Sequence, residues 1–258
     1  MIRKISYPNL LKAIRKIRAA DTYWTMEDLI EASGGSNVDI AQWEQEALNY
    51  SGPKKYVITS AQSCTDINEG FWLALNRYCL EHEAELCVVP YSYNAGSSEK
   101  WWHPWTEPFL ETKRRKLANG LQLMTDYTRA PTTQNPLASR DGCTGSDSGI
   151  FPHAKVALKP VPTPSEDLPK LLWTTGSLTK PRYTDSAAGK LGEFHHTYGA
   201  LAVHVEKGKF HVRNLIADDA HGFYDLDTYY TPRGITSGVR AAGLVMGCLL
   251  YTSPSPRD

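Results

Sequence analysis

An alternation of strand, helix and strand patterns between residues 54 and 93 constrains this chain more than any other feature of its sequence. KKYVITSAQ is a short β-rich run, NEGFWLALNRYCLEHEA has apolar residues at helical spacing, and ELCVVPYSY is a second apolar strand. This order is that of a βαβ unit, whose two strands lie parallel in a sheet with helices on its faces. We therefore expect an α/β domain, with a mixed sheet and flanking helices, over residues 54–240.

Strand-like patterns recur through the rest of this domain, in LQLMTDY, KVALKPV, KLLWTTG, GALAVHVEKG and KFHVRNLIA. The last two flank Lys207-Gly208-Lys209 and predict a β-hairpin. In contrast, the stretch from Asp225 to Arg240 is predicted to be an irregular linker, and Ser146 to Gly149 a plain loop.

Residues 1–50 are predicted to form a small helical segment that resembles a helix-turn-helix. NLLKAIRKIRA and MEDLIEAS have the spacing of amphipathic helices, and Thr25 and Asp28 match a capping box before the second of them. A third helix, predicted from Asn37 to about Asn49, carries acidic residues and no basic one, so phosphates would repel it. We expect a bundle that packs on the next domain rather than a DNA-reading element.

Composition and charge exclude several classes of protein. The 28 basic and 28 acidic residues balance, which gives no global electrostatic case for nucleic acid. No apolar stretch reaches the ~18 residues that could span a bilayer, no secretory signal is present, and the five cysteines include no C-x-x-C pair. We expect no membrane partner, reduced thiols and a cytoplasmic location.

The end of the sequence has two parts of different character. AAGLVMG, residues 241–247, is predicted to be a buried strand that reaches a glycine. CLLYTSPSPRD, residues 248–258, back-translates to a string that resembles a transposase-based sequencing adapter, and we expect it to be an artefactual tail. The chain is therefore expected to be a fragment whose next domain is missing after Gly247.

Three segments carry a resemblance to known proteins. SAQSCTDINEGFW, WTTGSLTKPRYTDSAAGKLGEFHHTYGA and GLVMG resemble tailed-phage proteins of the metallophosphoesterase-like or DNA-transfer type, over roughly residues 55–247. An apolar strand ending in Gly-Asp-x-His opens the calcineurin-like metallophosphoesterases, and residues 241–247 resemble that strand up to its glycine. The resemblance implies a missing phosphoesterase domain with divalent metal ions, manganese, magnesium or zinc. It also implies a role in phage DNA metabolism, in the cytoplasm of an infected bacterial host, with DNA as a partner.

The α/β domain itself resembles a degenerate copy of the calcineurin-like phosphoesterase fold. Its first strand ends in Ser60-Ala61-Gln62 and its second in Val89-Pro90-Tyr91, at the strand ends where that family has metal ligands. Only His196 matches a ligand position, and Ser, Gln, Pro and Tyr do not supply the anionic oxygens and imidazoles that hold two hard cations. The resemblance therefore implies a metal-free domain with a structural or substrate-binding role.

Two sets of residues are nevertheless candidate sites. Histidine with carboxylates is the ligand set of zinc or manganese, and a cluster of both predicts a metal site at His195, His196, Asp218 and His221. Basic residues interleaved with hydroxyl side chains are candidate phosphate contacts, namely Lys180, Arg182 and Lys190. Structural histidines and a solvated loop are the alternatives for the two sets.

Three functions remain open at this point. The first is a fragment of a phage-type phosphoesterase or nuclease, inactive by itself, whose visible part is a scaffold or binds substrate. The second is a DNA- or protein-binding module without catalysis. The third is a self-contained metal hydrolase built on the cluster of residues 195–221, which requires its ligands to converge on one point.

Overall fold

A computed structural model describes residues 6–33, 55–93, 100–164, 167 and 169–240 of the chain. The helix predicted from Asn37, the strand predicted at residues 241–247 and the tail at residues 248–258 lie outside the described residues.

The described N-terminal residues form helices α1 (Tyr7–Arg18) and α2 (Met26–Ser33). The predicted capping box is present before α2, because the Thr25 N–H donates to the Asp28 carboxylate at 2.7 Å and the Asp28 N–H donates to the Thr25 hydroxyl at 3.2 Å. The apolar face of α1 is buried in the main hydrophobic core, together with residues of the central sheet and its helix.

The predicted βαβ unit is confirmed and forms half of a four-stranded sheet. Strand β1 (Lys55–Gln62) leads into helix α3 (Glu69–His82) and then into β2 (Glu85–Tyr91), which is parallel to β1. Asn68 caps α3, since its side chain accepts a hydrogen bond from the Phe71 N–H. Both parallel strands therefore end at the same edge of the sheet, after Gln62 and Tyr91.

Further along the chain, strands β3 (Arg115–Ala118), β4 (Leu121–Leu123), β5 (Ser148–Phe151), β6 (Leu158–Val161) and β7 (Lys170–Thr174) form a second sheet, with the order β3-β4-β5-β7-β6. This sheet is itself mixed, with β4, β5 and β7 parallel and the outer strands antiparallel to their neighbours. A short 3₁₀ helix, Pro104–Phe109, precedes it.

Helix α4 (Ala187–His195) precedes the predicted hairpin, which is formed by β8 (Gly199–Glu206) and β9 (Lys209–Ile216). Both turn residues, Lys207 and Gly208, have positive φ, at 49° and 78°, as a two-residue hairpin loop of this kind requires. Strand β8 pairs antiparallel with β1, which gives the order β2-β1-β8-β9. The expected α/β fold with a mixed sheet is confirmed.

Alternate residues of the central strands face two different cores. Val57, Leu86 and Ala202 lie in the core shared with the helices. Ile58 and Cys87, each one position further along, lie in the core shared with the second sheet. Burial on both faces explains why these strands read as continuous apolar runs rather than as alternating ones.

Three parts of the chain differ from the sequence-based expectation. The stretch predicted as a linker contains a small antiparallel sheet of β10 (Phe223–Asp225), β11 (Thr228–Tyr230) and β12 (Ile235–Thr236). The predicted loop at Ser146–Gly149 contributes the start of β5, and α4 was not predicted at all. Short strands of two to four residues carry too little periodicity to be recognised, and α4 contains two glycines.

No helix among the described residues is long and apolar enough to cross a membrane.

Candidate functional site

The carboxyl ends of β1 and β2 meet the segment that follows β7, and a network of hydroxyl groups joins them. The Tyr91 hydroxyl lies 3.1 Å from Oγ of Ser177, which lies 3.0 Å from Oγ1 of Thr179. Thr179 Oγ1 also accepts a hydrogen bond of 3.0 Å from the N–H of Gln62, the last residue of β1. The edge at which ligands bind in open α/β sheets is thus closed by internal hydrogen bonds.

His196 lies beside this network, and both of its ring nitrogens are engaged. Nε2 lies 2.7 Å from the Thr179 carbonyl oxygen, so it carries the proton and donates. Nδ1 lies 2.6 Å from the Tyr183 hydroxyl and accepts its hydrogen bond. Burial lowers the pKa of His196 to about 4, and burial also raises the pKa of Tyr183 above its usual range. His196 is therefore neutral, and Tyr183 is a protonated donor.

The side chains at this edge of the sheet do not fit as ligands of a divalent metal ion. A metal-bound histidine offers the lone pair of one ring nitrogen, and the lone pair of His196 is already used by Tyr183. The remaining groups of the network are neutral hydroxyls and one amide, and none of the partners named above is a carboxylate. A hard dinuclear centre needs anionic oxygen ligands, so the match of His196 to a ligand position does not extend to a metal site.

The four predicted metal ligands do not converge. Among the described residues, the single group of three potential ligands within 4.8 Å of one another is a different one, described below. Asp218 and His221 belong to one exposed turn, in which the Asp218 carboxylate accepts from two backbone N–H groups and from the Tyr229 hydroxyl. His221 Nδ1 lies 3.1 Å from the Asn68 amide at the start of α3. His195 is the last residue of α4 and His196 is its C-cap, and the His196 ring bonds with Tyr183 and Thr179 rather than with Asp218 or His221.

The three candidate phosphate contacts follow β7 and surround the same sheet edge. The N–H of Lys180 donates to the Asp66 carbonyl, and the Lys180 carbonyl accepts from the Thr65 hydroxyl. The residue itself is exposed. The guanidinium of Arg182 donates to the Cys64 carbonyl. Lys190, on α4, forms an exposed ion pair of 3.0 Å with Asp185. The edge therefore carries three basic residues, one of them paired with Asp185, next to a hydroxyl-rich interior.

A buried ionic cluster at β2 was not predicted from the sequence. Glu85 and Cys87 of β2 lie with Glu111 within 4.8 Å of one another. Lys12 of α1 reaches into this group, with its Nζ 2.6 Å from Glu111 and 3.3 Å from Glu85. Arg115 completes the cluster through two hydrogen bonds to Glu85, at 2.5 and 3.0 Å.

Two internal cations already compensate the carboxylates of this cluster, so it does not fit a metal ion either. Burial opposes the charged form of Lys12, but its acidic surroundings outweigh that effect and raise its pKa. Burial also raises the pKa of Cys87, whose thiol points at Glu85 from 3.6 Å. Without a metal ion, the Cys87 thiol therefore stays protonated and neutral. The cluster instead attaches α1 to the edge strand of the central sheet, a contact between residues too distant in sequence for spacing to reveal.

Comparisons with known proteins indicate a relationship to a phage protein. No family model matches the chain. The sequence is 29% identical over 217 residues to Protein A1 of Escherichia phage T5, an alignment that covers 79% of this chain. The chain is similar to a phage protein. It spans 38% of the length of that relative.

Among solved structures, a Vps29 double mutant from Entamoeba histolytica superimposes with a TM-score of 0.38 and 13% sequence identity. The superposition covers 71% of this chain and 98% of the other.

Proposed function

We propose that this chain is a non-catalytic α/β module of a longer phage protein, and that it acts as a scaffold or binds substrate for a metal-dependent phosphoesterase domain elsewhere in that protein. The observation that carries the proposal is the state of His196, whose two ring nitrogens are both bonded within the protein. The similarity to Protein A1, which extends over only part of that protein, supports a larger architecture. The metal ions, manganese, magnesium or zinc, would belong to the other domain.

Metal binding and phosphodiester hydrolysis by the 258-residue chain test the catalytic half of this proposal. We expect calorimetric titration with MnCl₂ to give no stoichiometric binding at pH 7.5. We also expect no hydrolysis of bis(p-nitrophenyl) phosphate above that of the buffer with Mn²⁺. Manganese-dependent hydrolysis that disappears in His196→Gln would overturn the proposal, because it would place a working metal ligand at the edge of the sheet.

The substrate is proposed to be a phosphodiester such as DNA, contacted by the cations around the sheet edge. Lys180 and Lys190 are exposed there, and exposed cations that contact phosphates release counterions and give binding a steep dependence on salt. This role also covers the alternative of a DNA-binding module without catalysis, since both use the same cations.

A DNA-binding measurement tests that role directly. We expect the chain to bind a 20-nucleotide single strand more weakly as NaCl rises, and the double variant Lys180→Gln, Lys190→Gln to reduce the slope of log K against log salt by about 1–2. Lys207→Gln is the matched control, because this exposed lysine lies in the hairpin turn at the opposite edge of the sheet. Equal loss in the control, or no binding by the parent chain, would contradict the role.

A further inference from the structure

An open cleft of about 920 Å³ lies between the link that joins α1 to α2 and the loop that precedes the 3₁₀ helix. Five of the described residues that line it are aromatic: Tyr23, Trp24, Trp101, Trp102 and Trp105. Clefts of this volume are typical of binding sites. The cleft is lined by different residues from those of the hydroxyl network and of the Lys12 cluster.

Anchored aromatic rings form the walls of this cleft. The indole N–H of Trp24 donates to the Pro104 carbonyl at 3.0 Å, and the Trp24 ring meets Phe109 edge-on with centroids 6.3 Å apart. Trp101 is held through its carbonyl, which accepts from the Cys64 N–H at 2.8 Å. Although its backbone is fixed, the Trp101 residue remains 45% exposed, and Tyr23 is 93% exposed. Their faces are available to a ligand without rearrangement of the backbone.

The described residues that line the cleft carry more negative than positive charge. Among the described residues that line it, the charged ones are three carboxylates, Asp28, Glu31 and Glu107, and one cation, Lys100. Glu107 is fixed in place, because its Oε2 accepts from the Thr22 hydroxyl at 2.5 Å and from the Tyr23 N–H at 2.9 Å. Aromatic faces next to surplus negative charge attract an organic cation and repel the phosphates of nucleic acid.

From these features we infer that the cleft binds an arginine-bearing peptide segment of a partner protein. A guanidinium is planar, stacks on indole faces and pairs with carboxylates. Trp101, Glu31 and Glu107 all line the cleft and supply both kinds of group. A volume of about 920 Å³ exceeds what one side chain fills, so a segment of several residues enters. Tryptophan, tyrosine and arginine are also the residues that dominate binding energy at protein interfaces.

Calorimetry with the 258-residue chain and a synthetic probe tests this inference. The probe is acetyl-Gly-Arg-Gly-Arg-Gly-amide, and its control carries citrulline at both arginine positions, which keeps the planar shape and removes the charge. We expect the arginine peptide to bind, with an affinity that falls as NaCl rises, and the citrulline peptide to bind at least about tenfold more weakly.

Variants of the cleft locate the binding site. We expect Trp101→Ala to weaken binding by about 2- to 30-fold. Glu31→Gln should weaken binding and Lys100→Gln should strengthen it, because they change the charge of the cleft in opposite directions. Phe194→Ala is the matched control, since this aromatic residue is 83% exposed but lies outside the cleft. Circular dichroism of each variant confirms that it remains folded.

Three results would overturn the inference. Equal affinity for the arginine and citrulline peptides would show that no cation is recognised. An unchanged affinity in folded Trp101→Ala would place binding elsewhere. Binding of oligothymidylate that Trp101→Ala abolishes, together with no binding of the arginine peptide, would identify the cleft as a nucleic-acid surface instead.

Discussion

The hydroxyl of Tyr183 lies 2.6 Å from Nδ1 of His196, and this contact fixes the chemistry of the sheet edge. It occupies the one lone pair that a neutral imidazole could offer to a metal ion, while Nε2–H is held by the Thr179 carbonyl. His196, which the resemblance stated in the sequence analysis places at a ligand position, therefore has both ring nitrogens engaged within the protein. The hydrogen bonds of the edge hold the strand ends together and leave the His196 ring no free lone pair for a metal ion.

The stability of the chain should fall as pH drops from 6.5 to 4. His196 has a pKa of about 4 in the folded chain and an ordinary value near 6.5 when unfolded, so the unfolded state binds the extra proton in this window. His196→Gln should lower the free energy of unfolding at pH 7. Between pH 7 and pH 4, the variant should then lose less unfolding free energy than the parent chain, by on the order of 3 kcal/mol. Urea unfolding at pH 7, 5.5 and 4 measures the effect. The same pH dependence of stability in His196→Gln and in the parent chain would contradict this prediction. His211→Gln, at an exposed hairpin position, is the control.

Removal of the Tyr183 hydroxyl should raise the pKa of His196. Tyr183→Phe takes away the hydrogen bond that stabilises the neutral ring, and leaves its Nδ1 lone pair free to accept a proton. Titration of the His196 ring protons by NMR measures the change. The same pKa in parent and variant would mean that burial alone keeps the ring neutral.

Lys12→Met should destabilise the chain by about 3–5 kcal/mol, because it leaves the buried carboxylates of Glu85 and Glu111 without one of their cations. The side chain of Lys12 is only 11% exposed, so solvent screens the lost interaction poorly. Urea unfolding monitored by far-UV circular dichroism gives the free energy. Lys116→Met is the control, since this lysine is 60% exposed and lies 3.8 Å from Asp147, and we expect it to cost less than about 1 kcal/mol.

Gly176→Ala should cost about 2–5 kcal/mol of stability. Gly176 has φ of +74°, and a Cβ at this position would lie 2.7 Å from Cα of Gly199 at the start of β8. Gly208→Ala is a matched control, because its φ is +78° but the space around it is open, so only the backbone strain of about 1–2 kcal/mol applies. Thermal unfolding of both variants compares them. Equal losses would show that the close approach to Gly199 is not important.

Asp225→Asn should cost about 2–4 kcal/mol at pH 7. Asp225 accepts two hydrogen bonds from Arg213, at 2.6 and 2.8 Å, and one from Tyr78 at 2.8 Å. Burial opposes its charge, but these donors outweigh burial and lower its pKa. The stabilisation that ionised Asp225 provides is therefore complete above the pKa of about 3.9 that this residue has in the unfolded chain. It is lost as pH falls below that value.

The difference in unfolding free energy between parent and Asp225→Asn should therefore narrow from pH 7 to pH 3, as measured by urea unfolding. A difference that is constant over this range would mean that the charge of Asp225 does not contribute. Asp185→Asn is the matched control, because this carboxylate is 88% exposed and its ion pair with Lys190 is screened by water.

Residue spacing and residue type were sufficient to predict those helices, strands and turns whose sequence signals lie within a few neighbouring residues. The capping box of Thr25 and Asp28, the βαβ unit and the turn at Lys207-Gly208 all follow from spacing and residue type. The small sheet of β10–β12 did not follow, because Phe223 and Tyr230 are held by stacking on each other and by packing against α3. The contacts with α3 join residues about 150 positions apart in the sequence, as in the pairs Phe71–Phe223 and Tyr78–Tyr230.

The sequence by itself determined the fold class, the parallel pair of strands, and the absence of carboxylates from the last positions of those strands, Gln62 and Tyr91. Tertiary structure alone decided which polar residues meet. No three of His195, His196, Asp218 and His221 come within 4.8 Å of one another, whereas Lys12 lies between two glutamates 73 and 99 residues away in the sequence. The physical reason is that periodicity encodes which face of an element is buried, whereas a ligand set or an ion cluster depends on distances between elements, which only packing fixes.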